Sequence, residues 1–304
     1  MAEPQIDGQE KPTLAFLGPV GTYSHQAAYD RFGSTVTYSE RQTITDVFHA
    51  LSPSVPLALI PQENSIHGAV IDTYDLLRSP CMGKTSFVRG DVVLSIKHSL
   101  VVRKGVRLGE IQHVLSHEQA LGQCRAFLRE HLPTASLVPY ASTAGAARAL
   151  LSPSIDGLDP LKCAAICSRV IVSILPELEI LEEGIQDNNV NYTRFYLLAY
   201  SDHTAIPPPS TAPPTQRHAL VRISYPPGAM AEKPRNQTRL LNALDLYVIR
   251  LDRRPSPLPI PFHDVYFVEV EEETMTDPSW TNQVMRGIQR VSKQGGEANL
   301  LGMW

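Results

Sequence analysis

Apolar and polar positions alternate with two distinct periods along the first two thirds of the chain. Short, continuous apolar runs occur at 13–17, 56–60, 92–96, 113–115, 136–138, 164–167, 178–181 and 195–199. Runs this short and this apolar are expected of strands buried on both faces of a sheet. Between them, stretches at 24–32, 45–51, 69–77, 118–131 and 143–150 carry helical patterns, in which one face of each helix is buried. Strands alternating with helices predict an α/β region with a parallel sheet covered on both sides.

The pattern then breaks. Residues 206–214 read IPPPSTAPP. Proline fixes φ and lacks an N–H, so such a segment suits neither a helix nor a sheet interior, and 204–216 is expected to be a semi-rigid linker. Beyond it the pattern predicts a strand at 220–225, a helix at 236–246, strands at 247–251 and 265–270, a helix at 279–291 and a short strand at 299–301. That βαββαβ order is the ferredoxin-like α+β arrangement. Two folded units are therefore expected, 12–203 and 217–304, and 304 residues of 43% apolar content can furnish each with a core.

Charge and cysteine content narrow the function. The formal net charge is -4, from balanced acidic and basic residues with no run of like sign, which argues against a nucleic-acid partner. No stretch approaches the roughly 18 consecutive apolar residues of a membrane span, and residues 1–11 are polar and acidic, unlike a secretory leader. Cys81, Cys124, Cys163 and Cys167 include no CxxC pair. They read as reduced core thiols, which points to a cytoplasmic protein.

Four segments carry candidate chemistry. In 16–28, FLGPVGTYSHQAA, a strand enters a glycine turn and then a helix capped by Thr22 or Ser24; helix N-termini attract anions, and Gly21 would let a ligand approach the backbone. The dinucleotide and Walker patterns are both missing. Glu63, Asn64 and Ser65 follow the strand ending at Ile60, where α/β sheets gather ligands; helix capping would account for them equally well. Ser116, His117 and Gln119 follow another strand, and His113 and His117 have metal-ligand spacing on a helix, but Val114 and Leu115 between them read as strand, so no metal site is expected. In 185–195, IQDNNVNYTRF, Thr193 offers a hydroxyl and Arg194 a planar fork suited to a carboxylate.

Taken in order and spacing, FLGPVGTYSHQAA, PQENSIHGAVIDTYDLL (61–77), SHEQALGQC (116–124), STAGAA (142–147) and IQDNNVNYTRF resemble the prephenate dehydratase family across essentially the whole chain. The resemblance implies a two-lobed, periplasmic-binding-protein-like catalytic region, with lobe 1 at about 12–95 plus 178–203 and lobe 2 at about 96–177, and the site between them. It implies conversion of prephenate to phenylpyruvate with loss of water and carbon dioxide, without a cofactor. Thr193 would meet the leaving hydroxyl, Arg194 would hold a carboxylate, and Glu63 and His117 would be supporting acids. Gly21, Thr22, Tyr23, Ser24, Asn64, Ser65, Ser116 and Gln119 would contact substrate or support those that do.

The resemblance also implies that 217–304 is an ACT domain that senses phenylalanine, in a homodimer or homotetramer. Ala219, Leu220, Asp252, Arg254 and Pro255 are its candidate ligand contacts. Two positions depart from the family: His218 stands where a glycine is usual and Tyr247 where an asparagine is usual, and His218 is expected to narrow or abolish the sensing pocket. Two alternatives remain at this stage, the same chemistry on arogenate and a non-catalytic small-molecule-binding protein.

Overall fold

The computed structural model describes residues 11–155, 157–209, 216–226, 237–273 and 279–304. The polar start and the middle of the proline-rich segment, 210–215, lie outside the described residues. Lobe 1 opens with β1 (Thr13–Leu17), α1 (Tyr23–Phe32), β2 (Thr37–Arg41), α2 (Ile44–His49), β3 (Leu57–Asn64), the two-residue β4 (Gly68–Ala69), α3 (Ile71–Leu77) and β5 (Phe87–Ser95). Lobe 2 holds β6 (Ser99–Arg103), β7 (His113–Ser116), α4 (Glu118–Gln123), α5 (Arg125–His131), β8 (Ser136–Pro139), α6 (Thr143–Ala149), β9 (Cys163–Cys167), α7 (Ile171–Ile174) and β10 (Leu178–Glu183). The chain returns to lobe 1 as β11 (Tyr192–Ala199).

Side-chain alternation explains how lobe 1 covers both sheet faces. Along β3, Leu57 and Leu59 pack with Leu14, Phe16, Ala28 and Phe32, on the side of α1. Ala58 and Ile60 join Val47, Phe48 and Tyr74 of α2 and α3 on the other side. A period of two places successive residues of a strand on opposite faces, and here both faces are apolar.

Three expectations are revised. The sheet of lobe 1 is mixed: β1 runs parallel to β2 and β3, but β11 runs antiparallel to both β3 and β5. The reason is topological, since β5 leaves for lobe 2 and β11 comes back beside it. The run at 178–181 belongs to lobe 2, because β10 pairs antiparallel with β6 in the sheet order β10-β6-β9-β7-β8; the return to lobe 1 therefore comes after Glu183. The helix expected over 118–131 is two helices, interrupted at Cys124 with φ -120° and ψ 23°, where Asp187 Oδ1 accepts the Ala126 N–H at 2.9 Å.

The C-terminal unit runs β12 (His218–Ser224), α8 (Gln237–Leu244), β13 (Tyr247–Pro255), β14 (Asp264–Glu271), α9 (Trp280–Lys293) and β15 (Glu297–Met303), the βαββαβ order read from the pattern. Its strands lie in the order β13-β14-β12-β15, and β15 then pairs in parallel with β5. One sheet of ten strands thus joins this unit to lobe 1. The junction is Gly302 opposite Val88, where an added Cβ would collide with the Val88 backbone. Gly302→Ala is expected to loosen this seam and cost about 1–3 kcal/mol, read as a lower midpoint in urea; an unchanged midpoint would contradict the role given to the seam.

Candidate active site

Between the lobes lies a cavity of about 570 Å³. The turn after β1 brings one wall. Thr22 caps α1 by accepting the His25 N–H at 3.4 Å and donates to Leu17 O at 2.9 Å, and Thr22, Tyr23 and Ser24 all line the cavity. Lobe 2 brings the starts of α4 and α6, where His117 Nδ1 accepts the Gln119 N–H at 3.3 Å and Ser142 Oγ accepts the Gly145 N–H at 2.9 Å. His117, Gln119, Ser142 and Thr143 line the cavity. Three helices therefore begin at its surface, with their unpaired backbone donors.

The floor is the pair β3–β11, with Thr193 opposite Asn64. Asn64 Nδ2 donates to Thr193 Oγ1 at 3.0 Å and to Asn191 Oδ1 at 2.8 Å. Asn64 Oδ1 accepts the backbone N–H groups of Ile66 and His67 at 3.0 and 3.1 Å, which orients the amide without ambiguity. Because the Thr193 oxygen already accepts from Asn64, its own O–H is the donor left to offer. Phe195 and Ile96 add apolar surface, and Gln42 and His67 complete the rim.

A row of hydrogen bonds crosses the cavity wall. Tyr23 Oη lies 2.5 Å from His98 Nδ1, His98 Nε2 lies 2.7 Å from Gln123 Oε1, and Gln123 Nε2 lies 3.2 Å from His67 Nε2. Burial pushes the Tyr23 hydroxyl well above its ordinary pKa, with Cys167 and Cys124 adding to it, so Tyr23 stays protonated. Burial lowers the pKa of His98 against the hydrogen bond it donates to Gln123 Oε1, so His98 is neutral at pH 7. With Tyr23 donating to Nδ1, the His98 proton sits on Nε2 and donates to Gln123; the ring's tautomer is assigned by these partners.

Several expected site residues lie elsewhere. Arg194 is turned to the reverse face of β11, because strand neighbours point in opposite directions; it donates to Asp91 Oδ2 at 2.9 Å and, as a fork, to Glu269 at 2.9 and 2.5 Å. A guanidinium so engaged holds no substrate carboxylate. Glu63, its partner in register, faces the same way and is ion-paired with Arg250, so it is no acid of the cleft. Gly21 does have φ +101°, but the group its missing Cβ admits is the Ile171 side chain rather than a ligand. Ser65 ties down the 188–191 loop, accepting the Tyr192 N–H at 2.9 Å, and Ser116 is fully buried, donating to Ile166 O at 2.5 Å. His113 pairs with Ser136 at 2.5 Å while His117 caps α4, so the two histidines serve different partners. His98 and Gln123 were missed: each is paired with a group from a distant segment, and neither stands in a local pattern that marks it.

The C-terminal candidates are also engaged. Ala219 and Leu220 are buried in two apolar clusters. Asp252 accepts from Tyr74 Oη at 2.6 Å and Arg250 Nε at 2.5 Å, Arg254 Nε donates to Asp75 at 2.7 Å, and Pro255 O accepts from Arg78 at 2.5 Å. These contacts bind the unit to lobe 1, and all five residues lie outside the lining of the interlobe cavity. His218, at the position usually glycine, stacks on Trp304 with ring centroids 5.6 Å apart.

Comparisons with known proteins agree with this geometry. The chain matches the prephenate dehydratase family model over residues 14–203. It is 29% identical over 304 aligned residues to a bifunctional chorismate mutase/prephenate dehydratase of Neisseria gonorrhoeae, covering 97% of this chain and 75% of that protein. It is 32% identical over 246 residues to a prephenate dehydratase of Amycolatopsis methanolica, covering 80% and 73%. Other bifunctional relatives are spanned over only 50% to 61% of their length. Among solved structures, a prephenate dehydratase of Arthrobacter aurescens in complex with L-Phe superposes with a TM-score of 0.74 at 26% identity, covering 96% of this chain and 89% of that one. The chain belongs to the prephenate dehydratase family and is a carbon–oxygen lyase of aromatic amino acid biosynthesis.

Proposed function

We propose that the interlobe cleft takes prephenate itself, that Thr193 holds the leaving hydroxyl, and that the C-terminal unit is an ACT domain responding to phenylalanine. The observation that carries the first part is the Asn64–Thr193 hydrogen bond, which leaves a positioned O–H at the cleft floor. As the ring C–COO⁻ bond breaks, its electron pair becomes part of the aromatic ring and the C–O bond breaks with its pair on oxygen. A donor that meets that oxygen binds more strongly as charge grows there, which lowers the barrier.

The lining favours this chemistry by its charge. Among the described residues that line the cleft there is no Asp, Glu, Lys or Arg. An ammonium, as on arogenate, would find no carboxylate partner, so prephenate is the better fit. A fixed cation would stabilise the departing carboxylate in the ground state and slow its loss. Backbone donors at the start of α1, aided by Ser24, Gln119 and Ser142, are left to hold the retained carboxylate.

The effector reading is supported by the L-Phe complex of the Arthrobacter aurescens protein and by the βαββαβ order. An edge strand with exposed Tyr247, Ile249 and Leu251 supports pairing with a second copy, and so a homodimer or homotetramer. Comparing kcat/KM for prephenate and arogenate tests the substrate, with prephenate expected to be the better; preference for arogenate would reverse the assignment. Calorimetric titration with phenylalanine tests the sensor: saturable binding is expected, and no heat from phenylalanine, tyrosine or tryptophan would remove it.

A further inference from the structure

Loss of carbon dioxide and hydroxide from the prephenate dianion leaves a monoanion, so one proton is consumed for each water formed. Thr193 can position the departing oxygen but cannot supply that proton alone, because an alkoxide is far too basic to be left behind. The titratable side chains lining the cleft are Tyr23, His67, His98 and His117. Tyr23 and His98 are withdrawn: burial holds the one protonated and the other neutral. His117 spends Nδ1 as the acceptor that caps α4.

His67 remains, and its attachment is specific. Its backbone N–H is held by Asn64 Oδ1 at 3.1 Å, and the same amide donates to Thr193 Oγ1 at 3.0 Å. Two hydrogen bonds through one side chain therefore relate His67 to the hydroxyl that meets the leaving group. Its ring is exposed to solvent, so a spent proton can be replaced. We propose that His67 is the general acid of the reaction, donating the proton with which the departing hydroxide leaves as water.

The hydrogen-bonded row can accommodate the charged ring. As drawn, Gln123 Nε2 donates to His67 Nε2. Turning the Gln123 amide over makes its oxygen the acceptor for a protonated His67 and its NH₂ the donor to His98 Nε2. The His98 proton then sits on Nδ1 and donates to Tyr23 Oη, whose own hydrogen can go to Lys97 O, 3.3 Å away. Every donor in the row has an acceptor in both directions. With Nε2–H held by Gln123, the proton handed to the leaving oxygen is the one on Nδ1. After transfer His67 is neutral with its remaining proton on Nε2, still donating to Gln123, and a proton from solvent on Nδ1 restores the acid. Other ionisable groups on the surrounding elements are committed: Glu63 to Arg250 on the reverse face, Asp187 to the Ala126 N–H at the start of α5. Glu118 begins α4 and lies outside the lining.

The inference rests on the dehydratase reading, and the test separates the two. Turnover of prephenate is followed from mildly acidic to alkaline pH, with the enzyme-free rate subtracted. For the parent chain, kcat is expected to fall as pH rises, through ionisation of the acid. H67Q is expected to melt with the parent, keep a similar KM, lose on the order of 100-fold in kcat at neutral pH, and lose that ionisation from its profile. H131Q, on α5 outside the cleft, is the control. Parent-like kcat and profile in H67Q would overturn the proposal while leaving the dehydratase intact, as would loss of the ionisation in H117Q instead. A parent chain without turnover would remove both readings.

Discussion

Replacing Thr193 with alanine is expected to leave a folded protein whose kcat has fallen on the order of 10²–10³-fold, the usual loss when one donor aimed at a developing oxyanion is removed. Thr193 lies on β11 between β3 and β5, and its loss removes a hydroxyl and a methyl without disturbing the ladder. Asn64 keeps Asn191 as a partner, so the floor should hold its shape. Thr193→Ser retains the hydroxyl and is expected to keep most of the activity, whereas Thr193→Val, closest in shape, should behave like alanine. KM should move little in all three, because the hydrogen bond strengthens only as the C–O bond breaks. A Thr193→Val variant that turns over like the parent would remove the threonine from the chemistry.

Arg194, its neighbour, should show a different phenotype. Glu269 is 0% exposed and receives both arms of the Arg194 fork. Burial by itself raises the Glu269 pKa, but hydrogen bonds and charge from His218 and Arg194 outweigh it, and the carboxyl sits below its ordinary value. Arg194→Leu strands a buried carboxylate and is expected to cost about 3–5 kcal/mol, read as a large fall in the urea midpoint at pH 7. Exchanging both partners, Arg194→Met with Glu269→Met, should recover much of that loss, because a buried pair replaced by apolar groups is often near neutral. The pH dependence has a definite sign. A carboxyl with a depressed folded pKa contributes stability above the unfolded carboxylate range and loses it as pH falls through the folded value. A stable Arg194→Leu protein with a greatly raised KM would instead restore Arg194 as a substrate ligand.

The contrast between these two residues shows what was legible before the structure. The segment IQDNNVNYTRF points to both residues alike, but which of them faces the cleft depends on strand register. The period of two was available for 193–195, and applied there it separates Thr193 and Phe195 from Arg194. Glu63 and Asn64 divide in the same way. β2, TYSER, escaped the apolar criterion because it is an edge strand of partly exposed residues. β10 was found but assigned to the wrong lobe, since a half-buried edge strand carries no mark of the sheet it joins. The row from Tyr23 to His67 draws on four segments and exists only once the lobes are assembled. The contacts of Asp252, Arg254 and Pro255 with lobe 1 could not be foreseen either, because nothing local distinguishes an ion pair across a domain seam from a ligand contact.

The seam gives the two units a physical connection at the site itself. Behind Asn64 and Thr193 stand Glu63 and Arg194, and each is held by a residue of the C-terminal unit, Arg250 or Glu269. Trp304 joins the same network through Asp91, donating from Nε1 at 2.8 Å. Rearrangement of the C-terminal sheet would therefore bear directly on the strands that form the cleft floor.

The most direct measurement is incubation of the purified chain with prephenate at neutral pH, following phenylpyruvate by absorbance and released carbon dioxide together. The account predicts enzyme-dependent formation of both in equal amounts, without added metal or cofactor. Prephenate that raises the melting temperature but yields no phenylpyruvate above the enzyme-free rate would contradict it, and would make the cleft a binding site without chemistry.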